Sequence, residues 1–126
     1  MTIQSLSLKI YGQPYSKANS RKIVRFGNRM ASIKSDRARA YAESFKQQCC
    51  VPPLLMIFED VTVTIRIWYA SRRPDLDESL ILDLLQDVAY KNDRQVKEKH
   101  IYWMGVDKLN PRCEIDICER QKKAPS

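Results

Sequence analysis

Apolar and polar residues alternate most cleanly in FEDVTVTIRIWYA, residues 58–70. Val61, Val63, Ile65, Ile67 and Tyr69 fall on one side, and Thr62, Thr64, Arg66 and Trp68 on the other. A period of two predicts a β-strand with one face buried. A weaker alternation of Ile3, Leu6, Leu8 and Ile10 predicts a first strand that stops at Gly12 and Pro14. The run IVRFGNRMASI, residues 23–33, places two short apolar segments around Gly27-Asn28 and predicts a hairpin. The period then changes. Ala38, Tyr41, Ala42, Phe45 and Cys49 form a stripe at helical spacing, with Ser35 as cap and Pro52-Pro53 as stop. A second stripe of Ile81, Leu84, Leu85 and Val88 predicts a helix from 78 to about 88, capped by Asp77. YKNDRQVKEKH, residues 90–100, reads as a polar turn entering extended chain. IYWMGV (101–106) and RCEIDIC (112–118) read as two final strands, separated by Asn110-Pro111. Residues 121–126 read as a frayed tail. The order strand, hairpin, helix, strand, helix, strand, strand predicts one α+β domain over 1–126. It should be two-layered, a mixed β-sheet with two main helices on one face.

Composition narrows the class. The 126 residues are 44% hydrophobic and 29% charged, ordinary for a soluble globular domain. No apolar run approaches the roughly 18 residues of a membrane span, so no membrane association is expected. MTIQSLSLKI has neither a basic n-region nor a long apolar h-region, so no signal peptide is expected. The expected location is the cytoplasm. Cys49, Cys50, Cys113 and Cys118 could be paired with His100, the single histidine, as zinc ligands. Adjacent Cys49 and Cys50 lack zinc-knuckle spacing, so reduced, buried or incidental thiols are the better reading. One histidine and no G-x-S-x-G exclude serine-hydrolase chemistry. Three scattered glycines exclude a phosphate-cradling loop.

Charge changes the picture more. Residues 1–50 hold ten Lys or Arg and two acids, a balance of +8. Residues 51–126 hold twelve and thirteen, a balance of −1, and the two sum to the net +7. A basic front half is the footprint of a polyanion-binding surface, although basic proteins without nucleic-acid partners are common. Lys17, Arg21, Lys22, Arg25, Arg37 and Arg39 are the candidate phosphate contacts there. Arg72, Arg73, Lys91 and Lys97 extend the set around the acids.

Those acids cluster in RRPDLDESLILD, residues 72–83. Asp75 and Asp77 are two apart, and Pro74 favours extended backbone, so both carboxylates can emerge side by side. Carboxylates that close repel unless a cation or proton relieves them. A hard cation such as Mg²⁺ or Mn²⁺ prefers oxygen ligands. The plainer reading is a helix N-terminus that favours acids, with Asp77 capping and Glu78 in the first turn. It leaves Asp75 without a role. Asp93 lies in a polar turn that can return the chain towards the helix start, or is an ordinary turn aspartate. Asp83 lies opposite the apolar stripe, facing solvent or a shared site. Asp87 on the same face reads as solvated, and Asp107, Glu114 and Asp116 form no evident constellation.

RPDLD, LDLLQ and YKNDRQV stand in the order of the signature of the RusA-type Holliday junction resolvases, and 72–96 resembles it. GQPYSKANSRK is similar to the start of that family's phage branch. The resemblance implies a RusA-like fold and a homodimeric, Mg²⁺-dependent endonuclease that resolves four-way DNA junctions by paired symmetric nicks. It implies that Asp75, Asp77 and Asp93 are metal ligands and that Asp83 is a secondary acidic position of the catalytic set. The chain departs from the pattern in four places. Glu78 replaces an Asn, Asn92 replaces the first Asp of a pair, and the Asp77–Asp83 span is two residues shorter. The family's catalytic lysine falls on Ile81. Lys91, Lys97 or Lys17 are the candidate substitutes. The expectation is a structure-selective nuclease acting in DNA recombination, repair or phage DNA processing. The alternative is a DNA-binding protein of the same fold that has lost cutting.

Overall fold

The computed structural model of the chain describes residues 4–14, 21–26, 29–34, 36–74 and 76–120, and within 21–37 the backbone alone. The elements are β1 (Ser5–Tyr11), β2 (Arg21–Phe26), β3 (Arg29–Lys34), α1 (Asp36–Gln48), β4 (Val61–Tyr69), α2 (Ser79–Leu85), β5 (Val96–Val106) and β6 (Arg112–Glu119). Short 3-10 turns occupy 53–55 and 93–95. The order is the one the periodicity predicts.

β4 organises the sheet because its alternation is complete. Val61, Val63, Ile65, Ile67 and Tyr69 are buried, and the residues between them are half-buried. It pairs antiparallel with β6 on one side and parallel with β5 on the other, giving the mixed order β1-β6-β4-β5. β1 closes one edge against β6. β2 and β3 form a separate antiparallel hairpin, with Arg21 opposite Lys34 and Phe26 opposite Arg29. Its Gly27-Asn28 tip, the Ser35 cap and the 121–126 tail lie outside the described residues.

Both helices cover the same sheet face. Tyr41 and Phe45 of α1, with Cys49 just after it, join Leu80, Ile81 and Leu85 of α2 against the β4 row, Ile10, Cys113, Ile115 and Ile117 in one core. Each large apolar side chain fully withdrawn there contributes about 1.5–3 kcal/mol. α1 ends at Gln48, ahead of the prolines, and that residue takes a second role. Its amide accepts from the Tyr11 N–H (2.7 Å) and donates to the Tyr11 carbonyl (2.9 Å), completing two edge groups of β1 as a strand neighbour would. Cys49 and Cys113 are buried and Cys50 and Cys118 exposed, all as free thiols. Burial foremost pushes the Cys113 thiol up to about 12, so it stays protonated at neutral pH.

The opposite sheet face is polar and charge-balanced. Asp116 accepts from Arg66 (3.0 Å) and Ser7 (2.7 Å), Lys9 stands 4.0 Å from Glu114, and Arg112 pairs with Asp107 at 2.7 Å. The Arg112 guanidinium also lies 4.1 Å from the centre of the Trp68 ring. Asp107, Glu114 and Asp116, which form no motif along the chain, are counter-ions across it.

Two boundaries differ from the expectation. α2 stops at Leu85, not near Val88. Gln86 turns extended, Asp87 takes a left-handed φ of 66°, and Leu85 O accepts from both Val88 and Ala89. Val88 is therefore a turn residue, half-buried by contact with the core and not by a helical stripe. β5 begins at Val96, well before its apolar run, because backbone pairing with β4 continues down to Val61. At the sheet edge, Lys97–His100 keep their side chains in solvent, so no alternation marks the strand.

The β5–β6 turn supplies a pH-dependent contribution. The Asn110 N–H, and then the Arg112 guanidinium, hold the Asp107 carboxyl below its ordinary range. A depressed folded value stabilises above the unfolded value and is lost as pH falls through the folded one. The stability lead of wild type over Asp107→Asn should be full above about pH 4. It should shrink on further acidification, read by denaturant melts at stepped pH; a lead that grows with acid contradicts this role.

Candidate functional site

Parallel strands need a long crossover, and β4 and β5 are joined by residues 70–95. The four candidate acids all lie in that connection. Asp75 is outside the described residues; the other three are placed as follows.

Asp77 precedes α2. Its Oδ1 accepts the Ser79 N–H at 2.9 Å, and its own N–H points to the Tyr69 hydroxyl at 3.4 Å. Glu78, not Asp77, holds the N-cap position, and its carbonyl accepts the Leu82 N–H. The expected cap is thus displaced by one residue, although Glu78 has near-helical backbone (φ −101°, ψ −1°) and makes no side-chain cap hydrogen bond. The Asp77 side chain still takes a first-turn N–H. Burial foremost, with the nearby Asp77 and Glu78 carboxylates, raises the Tyr69 phenol. It remains a neutral hydroxyl beneath the segment.

Asp83 is exposed on α2, and Asp93 is exposed at the start of the 93–95 turn. They share a neighbour. Tyr90 is fully buried and donates to the Leu82 carbonyl at 2.8 Å. Its phenol is raised by burial, then by the charges of Asp93 and Asp83. Asp83 and Asp93 also line one open concavity of about 400 Å³ with Ser79, Lys97 and Lys99. Leu82 and Val96 supply its apolar wall. The short turn expected to return Asp93 towards α2 does so.

That turn is held from both sides. Asn92 Oδ1 accepts from the Arg94 N–H (2.9 Å), and Gln95 Oε1 accepts from the Asn92 N–H (2.8 Å), a reciprocal capping box. The Gln95 amide nitrogen donates to Ile57 O and Glu59 O, both at 2.8 Å. Asn92, where the resemblance expects an acid, serves here as a cap.

On β5 the register with β4 shifts between Val61 and Thr62, whose partners are Val96 and Glu98, leaving Lys97 as a bulge. The shift lets consecutive residues from Val96 to Lys99 border one concavity. Lys99 Nζ is 2.7 Å from Glu78 Oε1, a carboxylate only 17% exposed.

The other predicted residues divide. Ile81, where the resemblance places a lysine, is 0% exposed in the core. Lys91 pairs with Asp87 at 3.0 Å. Arg39, Arg72 and Arg73 are exposed. Arg21, Lys22 and Arg25 lie on β2 and Arg37 on α1, described by backbone only; Lys17 is outside the described residues. Glu78 with Lys99, Tyr69, Tyr90 and Gln95 were not singled out as site residues from the chain. Only Gln95 carried a local signal, the Asn-x-x-Gln spacing of a capping box.

The donors present are carboxylate oxygens, the chemistry of a hard divalent cation. Among the described residues no three His, Cys, Asp or Glu side chains converge into a metal-binding group. Asp75, the remaining member of the expected set, lies outside the described residues. No helix among the described residues is long and apolar enough to cross a membrane. No protein-family model matches the chain, and no curated protein matches it.

Two substitutions test this architecture. Gln95→Ala removes hydrogen bonds to three backbone groups and should cost about 1–3 kcal/mol by denaturant melt. Placing a lysine in the position the resemblance expects should fail: Ile81→Lys buries an uncompensated ammonium and should cost several kcal/mol, whereas Ile81→Leu should cost under about 1.5 kcal/mol. A stably folded Ile81→Lys protein would mean that α2 can turn this position outward.

Proposed function

We propose that the chain is a divalent-metal-dependent, structure-selective DNA endonuclease of the RusA type, resolving four-way junctions by paired nicks as a homodimer. One observation carries the reading. Asp83, on α2 midway along the crossover, and Asp93, near its end, border one open concavity with two lysines, and Asp77 is tied to its rim through Ser79. An acidic site beside cations, on a chain of net charge +7, suits a phosphodiester better than a small acidic or apolar ligand. The blocks RPDLD, LDLLQ and YKNDRQV supply the family assignment.

Asp75, Asp77 and Asp93 would hold the cation, with Asp83 adding negative charge at the rim. When bound, Mg²⁺ or Mn²⁺ supplies charge to the scissile phosphate and acidity to a water. The protein's own part is positional. The capping box and Gln95 hold Asp93, Tyr69 underlies Asp77, and the open mouth admits a backbone phosphate. Lys17, Arg21, Lys22, Arg25, Arg37 and Arg39 would track the DNA arms, with Arg72, Arg73 and Lys97 nearer the cut. A homodimer matches the near two-fold symmetry of a four-way junction.

A second reading, junction binding without cutting, is favoured by the burial of Ile81, which leaves α2 without the expected lysine. One experiment separates the two. Purified protein should nick a synthetic four-way junction symmetrically when Mg²⁺ is added, and Asp75→Asn, Asp77→Asn or Asp93→Asn should each lower the rate about a hundredfold or more. Junction affinity should fall steeply between 50 and 200 mM salt, on the order of 10³-fold for about six phosphate contacts. Salt-sensitive binding without metal-dependent nicking would select the second reading, and nicking unchanged in Asp75→Asn would displace the site.

A further inference from the structure

The nuclease reading requires a cation facing the substrate phosphate, and α2 supplies none: its seven residues, SLILDLL, contain no lysine or arginine. We propose that Lys99 of β5 is that cation and that Glu78 is its positioning residue. This rests on the proposed nuclease site but concerns a pair that the chain's motifs do not mark.

Three observations carry it. Lys99 borders the same concavity as Asp83, Asp93 and Ser79. Its ammonium is held 2.7 Å from a mostly buried carboxylate, while the side chain remains half-exposed. Its backbone is fixed by strand pairing opposite Val63, so the charge stands on a rigid element. An ammonium has three donors, and Glu78 Oε1 takes one. The remaining two can meet a non-bridging phosphate oxygen as charge-assisted hydrogen bonds. Restraining the side chain beforehand lowers the entropy lost when the phosphate arrives. Lys97 differs. It sits in the bulge, makes no ion pair among the described residues, and suits a backbone-tracking contact that affects affinity alone. Lys91 is engaged with Asp87. The two departures at 78 and 81 then have one explanation. With Ile81 committed to the core, the acid at 78 recruits the cation from the neighbouring strand.

The test has a readout that does not depend on cutting. Junction affinity is measured against salt in metal-free buffer for full-length wild type, Lys99→Met, Lys99→Arg and Glu78→Gln, and nicking is then measured with Mg²⁺. Lys99→Met should lower the slope of log affinity against log salt by about 0.9, the signature of one lost phosphate contact. It should also lower kcat about a hundredfold, a larger effect than the rise in KM that one lost ground-state contact brings. Lys99→Arg should restore the slope and part of kcat. Glu78→Gln should keep the slope and lower kcat about tenfold, as expected of a positioning residue. A Lys99→Met protein with the wild-type slope, or one that nicks within about threefold of wild type, overturns the proposal. If wild type binds but never nicks while Lys99→Met loses slope, the nuclease reading falls and the phosphate contact stands. Wild type that binds no junction at low salt overturns both.

Discussion

The parallel pairing of β4 with β5 is the constraint on which the rest depends. An antiparallel neighbour can be reached through a two-residue turn, whereas a parallel one requires the chain to travel back along the sheet before it pairs. Residues 70–95 make that return, and α2 is the part of it that buries its apolar side on the β4 row. Of the acids in this connection, Asp83 on α2 and Asp93 ahead of β5 are exposed, and Asp77 is half-buried just before α2. The site is thus a consequence of topology. Acids distant in the chain meet because the connection folds back over one strand pair.

Such a connection stays in register only if it is fastened along its length, and the fastenings are two buried tyrosines and a half-buried glutamine. Tyr69, at the end of β4, meets the Asp77 N–H with its hydroxyl and the Asp107 N–H with its carbonyl. Tyr90 donates to the Leu82 carbonyl from beneath α2. Gln95 binds the carbonyls of Ile57 and Glu59 just before β5 starts. Each satisfies groups that would otherwise be costly to withdraw from water. Each also sits within a few residues of a proposed carboxylate, so stability and site geometry rest on the same bonds.

The sheet and its layers were legible along the chain because β4 and α1 bury one side each, and burial on one side writes a period into sequence. Val61 to Tyr69 and Ala38 to Cys49 are clear cases. Where an element is not one-sided, the pattern fails. β5 exposes Lys97–His100 at the sheet edge, so its start is written in backbone pairing alone. The end of α2 is set by Gln86 and Asp87 leaving helical geometry, with neither Gly nor Pro to mark it. The acids were legible as a cluster because Asp75, Asp77 and Asp83 are near neighbours in sequence. The convergence of Asp93 on Asp83 was only partly so, since it depends on a turn returning in the right direction. Lys99 was not legible at all. Its distance to Glu78 is fixed by strand register, a property of two segments that neither one encodes.

Charge gives the molecule two unlike sides. On the bare sheet face, Lys9, Arg66 and Arg112 are matched by Glu114, Asp116 and Asp107, so that surface presents little net field to a polyanion. Of the basic residues in 1–50, Lys9 pairs with Glu114, and Arg39 and Lys46 stand exposed on α1. α1 packs on the helix-bearing side, the side on which Lys99 reaches Glu78. On the proposed nuclease reading, a DNA backbone has no electrostatic reason to settle on the ion-paired face. On that reading a carboxylate site works only if cations bring the phosphate in against the local repulsion. The lysines on β5 stand where that requirement is sharpest.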